Sequence, residues 1–193
     1  VACGDPILRR QADPIDPSDL GTDAMQRLIE QMRATMEAAP GVGLAAPQVG
    51  VGIQLAVLQD GPESWGSLTD EERSVREREA VPFTVLVNPV LRPIDGSTAS
   101  FFEGCLSVPD LTGIVTRHRA VRVEALDAHG RPIERIFSGW AARIVQHELD
   151  HLGGRLYLDR VETRSLSSSA NYARYWAGRP VSEAIEGLGV TRI

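Results

Sequence analysis

Lysine is absent from this chain: all 20 of its basic residues are arginine. No lysine amine is therefore available to form a Schiff base or act as a nucleophile, which closes that branch of covalent catalysis. Cysteine is scarce, with only Cys3 and Cys105, too few for a disulfide framework and in keeping with an intracellular protein. No run approaches the roughly 18 uninterrupted apolar residues of a spanning helix, so no membrane is expected as a partner. An excess of positive charge is missing too. The formal net charge is -6, so no overall basic field exists to grip a phosphate backbone, and nucleic acid is not the expected direct substrate. What is present, 193 residues of which 42% are hydrophobic and 24% charged, suits a single domain over 1–193 with a real core.

Asp13-Pro14 and Asp16-Pro17 make residues 1–17 an extended, turn-rich arm that wraps rather than forms core. From Asp19 to Ala39, Ala24, Leu28, Met32 and Met36 recur every four positions among charged and polar residues, the pattern of an amphipathic helix. Pro40-Gly41 should stop it. The small residues of Gly41 to Gln48 form a loop that lets another backbone or a ligand approach closely, or simply a tight link between helix and strand. Ile53 to Leu58 reads as a buried strand, and residues 59–80 as a charged insertion in which Glu71, Glu72, Arg73, Arg76, Glu77, Arg78 and Glu79 form a solvated face. Phe83 to Asn88 is a strand broken by Pro89, with Val90 to Ile94 as an edge segment. Thr98 to Phe102, Ile114 to Thr116, Val121 to Leu126 and Ile133 to Phe137 follow as strands, the last two joined in a hairpin through Asp127-Ala128-His129-Gly130. His129 is then a turn residue, and His118, between Arg117 and Arg119, is read as solvated. In the tail from about 165, Tyr172, Tyr175 and Trp176 read as a short helix packed back on the body.

One helix carries chemistry. Ser138-Gly139 offers an N-cap, Trp140, Ile144, Val145, Leu149 and Leu152 give a broad apolar surface, and Gly153-Gly154 ends the segment. Within it, His147-Glu148-Leu149-Asp150-His151 is a His-Glu-x-x-His pattern. Residues four apart share a helix face, so both histidines can grip one cation. A turn of about 100° per residue brings the Glu148 carboxylate beside that cation, where it can handle the protons of a water.

A catalytic metal usually takes three protein ligands and leaves a position for water. Three residues bear on the third place. Tyr157 stands where one protease class has its third histidine; Glu183 lies at a plausible distance but in an ordinary helical pattern; Cys105, between a strand and a glycine-flanked turn, offers a soft thiolate. A zinc peptidase using Glu183 and a non-catalytic peptide or metal binder are the competing readings.

Three segments, GVGLAAPQ at 41–48, EGCLS at 103–107 and HELDH at 147–151, together resemble the signature motifs of peptide deformylase, and the order of strands and helices agrees over roughly residues 5–165. Residues 138–143 and the insertion at 59–80 are most similar to the subgroup of mitochondrial, plant and actinobacterial enzymes. The resemblance implies an α+β fold with antiparallel sheets packed around a central metal-binding helix. It implies a hydrolase that takes the formyl group from the N-terminal formylmethionine of nascent polypeptides and releases formate. Cys105, His147 and His151 would hold one divalent ion, Fe(II) foremost, with Zn, Ni or Co as substitutes. A water or hydroxide on that ion would attack, with Glu148 as general base and acid. Gln48 and the Leu106 N–H would donate to the oxyanion. Val42, Gly43, Glu103 and Gly104 would bind the peptide backbone, and Trp140 and Arg143 would line the methionine pocket. Asp110 departs from the relatives, which often have glycine there. The implied compartment is the bacterial cytoplasm, or an organelle if a leader precedes Val1; ribosome association and oligomeric state stay open.

Overall fold

In the computed structural model, which describes residues 1–39, 41–66 and 68–191, two antiparallel sheets enclose one long helix. The elements run α1 (Asp23–Ala38), β1 (Gly43–Ala45), β2 (Leu55–Asp60), α2 (Pro62–Trp65), α3 (Asp70–Val75), β3 (Val81–Pro93), β4 (Thr98–Cys105), β5 (Val108–His118), β6 (Ala120–Leu126), β7 (Pro132–Ser138), α4 (Gly139–Leu152), β8 (Ser167–Ser168), α5 (Ser169–Tyr175) and α6 (Val181–Gly187). One sheet has the order β1-β2-β3-β6-β7 and the other β4-β5-β8. Helix α4 packs against strands of both, the expected α+β arrangement around a central helix.

Helix α1 begins at Asp23 because Thr22 caps it, its hydroxyl accepting from the Met25 N–H. Its inward face is Met25, Ile29, Met32 and Met36, packed on Leu44, Leu55, Val57 and Val87. Ala24 is exposed, since a spacing of four at every step drifts off a face that repeats at about 3.6 residues. Pro40, expected to stop this helix, lies outside the described residues; Gly41 follows it in the loop. Ala142, Ile144 and Val145 of α4 join Leu58, Leu86, Val121, Val123 and Phe137 in a second core, so this helix is buried nearly all round. Ser138 holds the N-cap position without a side-chain cap bond. The entry is set instead by Gly139, at φ +55°, where a Cβ would strike the Glu77 backbone.

Several expected boundaries shift for physical reasons. The N-terminal arm is not purely extended: it makes short 3-10 turns at Pro6–Arg9 and Pro17–Asp19 and places Leu8, Ala12 and Ile15 in the core. Strand β3 continues through Pro89 because a register shift between Val87 and Val90 leaves a bulge where proline loses no ladder bond. Asn88, at φ +48°, ties that bulge to the arm by exchanging bonds of 2.8 Å with the Ile15 N–H and carbonyl. The insertion is not uniformly solvated. Glu71, Glu77 and Glu79 are exposed, but the Arg78 side chain is 7% exposed and forks onto the equally hidden Asp60 at 2.8 and 2.9 Å. The hairpin through 127–130 forms as expected, with Asp127 accepting from the N–H groups of His129 and Arg131.

Candidate active site

Strand β4 and helix α4 bring three soft ligand atoms together. Those of Cys105, His147 and His151 lie within 4.8 Å of one another, and Cys105 Sγ is 3.3 Å from His151 Nε2. Cys105 reaches the helix because β4 ends there, at a register shift between Gly104 and Cys105 that turns the chain inward. One thiolate and two imidazoles suit a zinc- or iron-type cation rather than magnesium or calcium. Tyr157 is turned away, its hydroxyl donating to the Leu111 carbonyl at 3.0 Å. Glu183 is exposed on α6 and pairs with Arg179. Neither completes the cluster.

The histidines are held differently. His147 Nδ1 contacts Glu103 Oε2 at 3.0 Å, which leaves Nε2 for a cation, the carboxylate–histidine arrangement that fixes a ligating ring. Burial works against its charge, yet bonds to Cys105 and Glu103 hold its pKa well above the ordinary value. His151 is fully buried, and burial followed by the nearby His147 pushes its pKa down to about 3. It is therefore neutral and fit to ligate.

Glu103 anchors a buried charge network that the sequence did not reveal. Its carboxylate accepts from Arg117 at 2.9 Å twice, from Arg143 at 2.6 Å and from His147. Arg117 also pairs with Asp150, which Arg160 clamps at 2.7 and 2.8 Å. Burial alone would raise the Glu103 pKa, but the bonds from His147 and Arg117 overcome it and keep the carboxyl well below the usual range. His118, expected to be solvated, is half-buried, and its neighbour Arg117 is 4% exposed. The overlooked signal was alternation: Arg117 is two residues beyond the buried Val115, so both face inward on β5.

Glu148 is 4% exposed, and its Oε2 has no hydrogen-bond partner among the described residues. Burial pushes its pKa up to about 7, with His147 pulling the other way. An acid of that strength can both take and give a proton near neutrality. Gly43 makes the room: a Cβ there would collide with Glu148 Oε1 and sit 2.8 Å from the carboxyl carbon. The short loop is thus a glycine strand laid against a catalytic-type carboxylate. Gly43→Ala is expected to lower stability by about 1–3 kcal/mol through overpacking. Adding Glu148→Ala should recover most of it, a coupling that thermal unfolding of the two single variants and the double variant measures.

Gln48 is oriented from both ends. Its Oε1 accepts from the Ala45 N–H at 2.8 Å, while its Nε2 lies 3.6 Å from Cys105 Sγ and 3.4 Å from Ser107 Oγ. Ser107, buried and unforeseen from sequence, helps aim that amide at the cluster. A groove of about 620 Å³ opens here, with Val42, Gly43, Gln48, Gly104, Leu106 and Trp140 on its walls. Both motif strands that border it, β1 and β4, are edge strands of their sheets. Arg143 also borders it, but its guanidinium is fixed by Glu103 and by the Val115 and Ala99 carbonyls at 2.9 and 2.5 Å, with the Phe101 and Trp140 rings 5.2 and 5.8 Å away. It is wall rather than a free cation. Asp110 sits at φ +61°, the left-handed region where glycine carries no Cβ penalty, so a glycine would fit this position with less strain.

Comparison with known proteins points to one family. The family model described as polypeptide deformylase matches residues 1–166. Peptide deformylase 1 of Streptomyces coelicolor is 51% identical over 189 residues, covering 98% of this chain and 84% of that protein. The chloroplastic/mitochondrial peptide deformylase 1A of Arabidopsis thaliana is 44% identical, covering 98% and 68%. A class I type b peptide deformylase from Acinetobacter baumannii, crystallised with Met-Ala-Ser bound, superposes with a TM-score of 0.74 at 34% identity, covering 83% of this chain and 96% of that one.

Proposed function

The chain belongs to the peptide deformylase family, and from that premise we propose that it hydrolyses the formyl amide of N-terminal formylmethionine on new polypeptides through Cys105, His147, His151, Glu148, Gln48 and Leu106. The observation that carries this reading is the convergence of a thiol and two imidazoles beside a buried carboxylate oxygen that has no partner among the described residues. A divalent cation held by Cys105, His147 and His151, Fe(II) foremost with Zn, Ni or Co as substitutes, would supply Lewis-acid activation of water, whose pKa falls from about 15.7 toward neutrality.

The chain's own groups do the rest. Glu148 takes a proton from the attacking water and returns it to the nitrogen as the formyl C–N bond breaks, so formate and a free amine leave. Gln48 Nε2 and the Leu106 N–H donate to the formyl oxygen as it becomes negative; one such donor is worth about 2.7–4 kcal/mol of barrier. The backbones of Val42, Gly43, Glu103 and Gly104 pair with the peptide as a strand added between the free edges of β1 and β4. The side chain of Glu103 takes no part in this, being held by two arginines and His147. The methionine side chain lies in the groove against Trp140, Arg143 and Ile144. The Acinetobacter structure with Met-Ala-Ser supports a peptide of this kind.

We place the activity in one domain. No helix among the described residues is long and apolar enough to cross a membrane, and the relatives include bacterial and plant organellar proteins. The bacterial cytoplasm is our reading of the compartment.

The test is formate release under anaerobic Fe(II) conditions from formyl-Met-Ala-Ser against acetyl-Met-Ala-Ser. Only the formyl peptide should be cleaved. In parallel, Cys105→Ser should lose most of its bound metal by elemental analysis; full metal content together with full activity in that variant would remove Cys105 from the ligand set.

A further inference from the structure

Helix α4 borders two cavities that share no wall residue. Arg143, Ile144, His147 and Glu148 border the groove beside the metal ligands, whereas Gln146, Leu149, Asp150 and Gly153 border a cavity of about 440 Å³ behind the helix. Spacings of three and four residues put that second set on one helix face. Among the described residues Asp150 is the only acid on the wall of this rear cavity, and three arginines meet it: Arg117, Arg155 at 3.2 Å, and Arg160 at 2.7 and 2.8 Å. Arg117 is also matched by Glu103, which takes Arg143 as well. Four guanidiniums therefore face two carboxylates, and the surplus of positive charge lies on the cavity side with Arg155 and Arg160.

Those two arginines keep donors in reserve. Arg155 gives Asp150 only its Nε, and Arg160 gives its Nε and Nη2. Both Nη groups of Arg155 and Nη1 of Arg160 are thus without a partner among the described residues, on side chains that are 54% and 44% exposed. The carbonyls at the end of α4 do not claim them, because those of Leu149, Asp150 and His151 accept from the N–H groups of Gly153, Arg155 and Gly154. His118 adds hydrogen-bonding capacity to the wall, its Nδ1 being buried without a partner among the described residues. Leu91, Leu149 and Leu152 make the apolar part.

We propose that this rear cavity is a binding site for a small phosphate ester, whose phosphate is taken by Arg155 and Arg160 and whose organic body lies on Leu91, Leu149 and Leu152. A phosphate group carries about -1.5 to -2 near pH 7 and so answers the surplus of two positive charges, half of which a single carboxylate would leave unmatched. The planar fork of arginine suits phosphate oxygens. The volume falls in the range of small-molecule sites, about 300–1,000 Å³, which is more than a free phosphate ion fills. Asp150 stays paired with the buried Arg117, so the ester binds without breaking the ion pairs that lead to Glu103 and His147.

The experiment titrates phenyl phosphate and, separately, inorganic phosphate into the metal-loaded full chain by calorimetry at constant chloride. Phenyl phosphate is expected to bind at one site, about tenfold more tightly than inorganic phosphate because it also covers the apolar wall. Arg155→Ala should weaken it about tenfold or more, the worth of hydrogen bonds to a charged group, and Arg160→Gln likewise. Thermal unfolding in chloride checks that each variant is folded; Arg155, half exposed and one of three partners of Asp150, is the safer of the two. No binding of either probe, or binding unchanged in the folded variants as attachment at the metal ligands would give, overturns the site. Equal affinities for the two probes would overturn the ester in favour of the free ion.

Discussion

Glu148→Ala is expected to retain its metal and to release formate about 10² to 10⁴ times more slowly than the parent, the usual worth of a positioned general acid–base. Metal retention follows because Glu148 is not among the three converging ligands. The loss follows because, among the described residues, the carboxylate is buried with Oε2 unpartnered and its carboxylate neighbour Glu103 is held by Arg117, Arg143 and His147. Stability should move the other way. Burial opposes the ionised form of Glu148 and raises its pKa to about 7, so removing it deletes a poorly solvated group rather than a supporting contact. A variant that is inactive, metal-loaded and at least as heat-stable as the parent is the expected outcome. Activity within tenfold of the parent would remove Glu148 from the mechanism.

Glu103→Gln is expected to be the most destabilising single change in the site region. Breaking a buried ion pair by removing one partner costs about 3–5 kcal/mol, and here Arg117 and Arg143 both lose their counter-charge. At roughly 2–4 °C per kcal/mol for a chain of this size, Tm should fall by about 6–20 °C. His147 loses the charged partner of its Nδ1 in the same step, and loss of such support typically weakens metal affinity about 10–100-fold. Acid titration adds a third reading. The folded-state pKa of Glu103 lies below that of an unfolded glutamate, so its stabilisation is fully present above about pH 4.3 and is lost as pH falls through the folded value. The parent should therefore lose stability more steeply than the variant on the acid side. Equal Tm values for parent and variant would show that the network contributes little net stability.

The legible parts of the site were the local ones. His147, Glu148 and His151 occupy little more than one helical turn, and the backbone period alone places them on one side. Cys105 and Gln48 became readable only because their short motifs occur together in one chain. The strands of the β6–β7 hairpin were also legible, since Asp127 and Gly130 close the turn within five residues. Arg117 was not. A charged residue between His118 and Thr116 looks solvated until the strand is seen against α4, where Asp150 and Glu103 receive it. Arg78 misled in the same way, because its partner Asp60 lies 18 residues earlier.

By itself the sequence determined the family and, through that resemblance, the ligand set proposed for the metal and the carboxylate proposed to move the proton, because short motifs and their order along the chain are matters of residue identity alone. Only the tertiary structure decided why Gly43 has no side chain, which arginines are buried, and that the two faces of α4 border separate cavities. Those outcomes depend on which distant segments pack together. The burial of a charge or the collision of a Cβ is a property of two chain segments at once, and neither segment carries it alone.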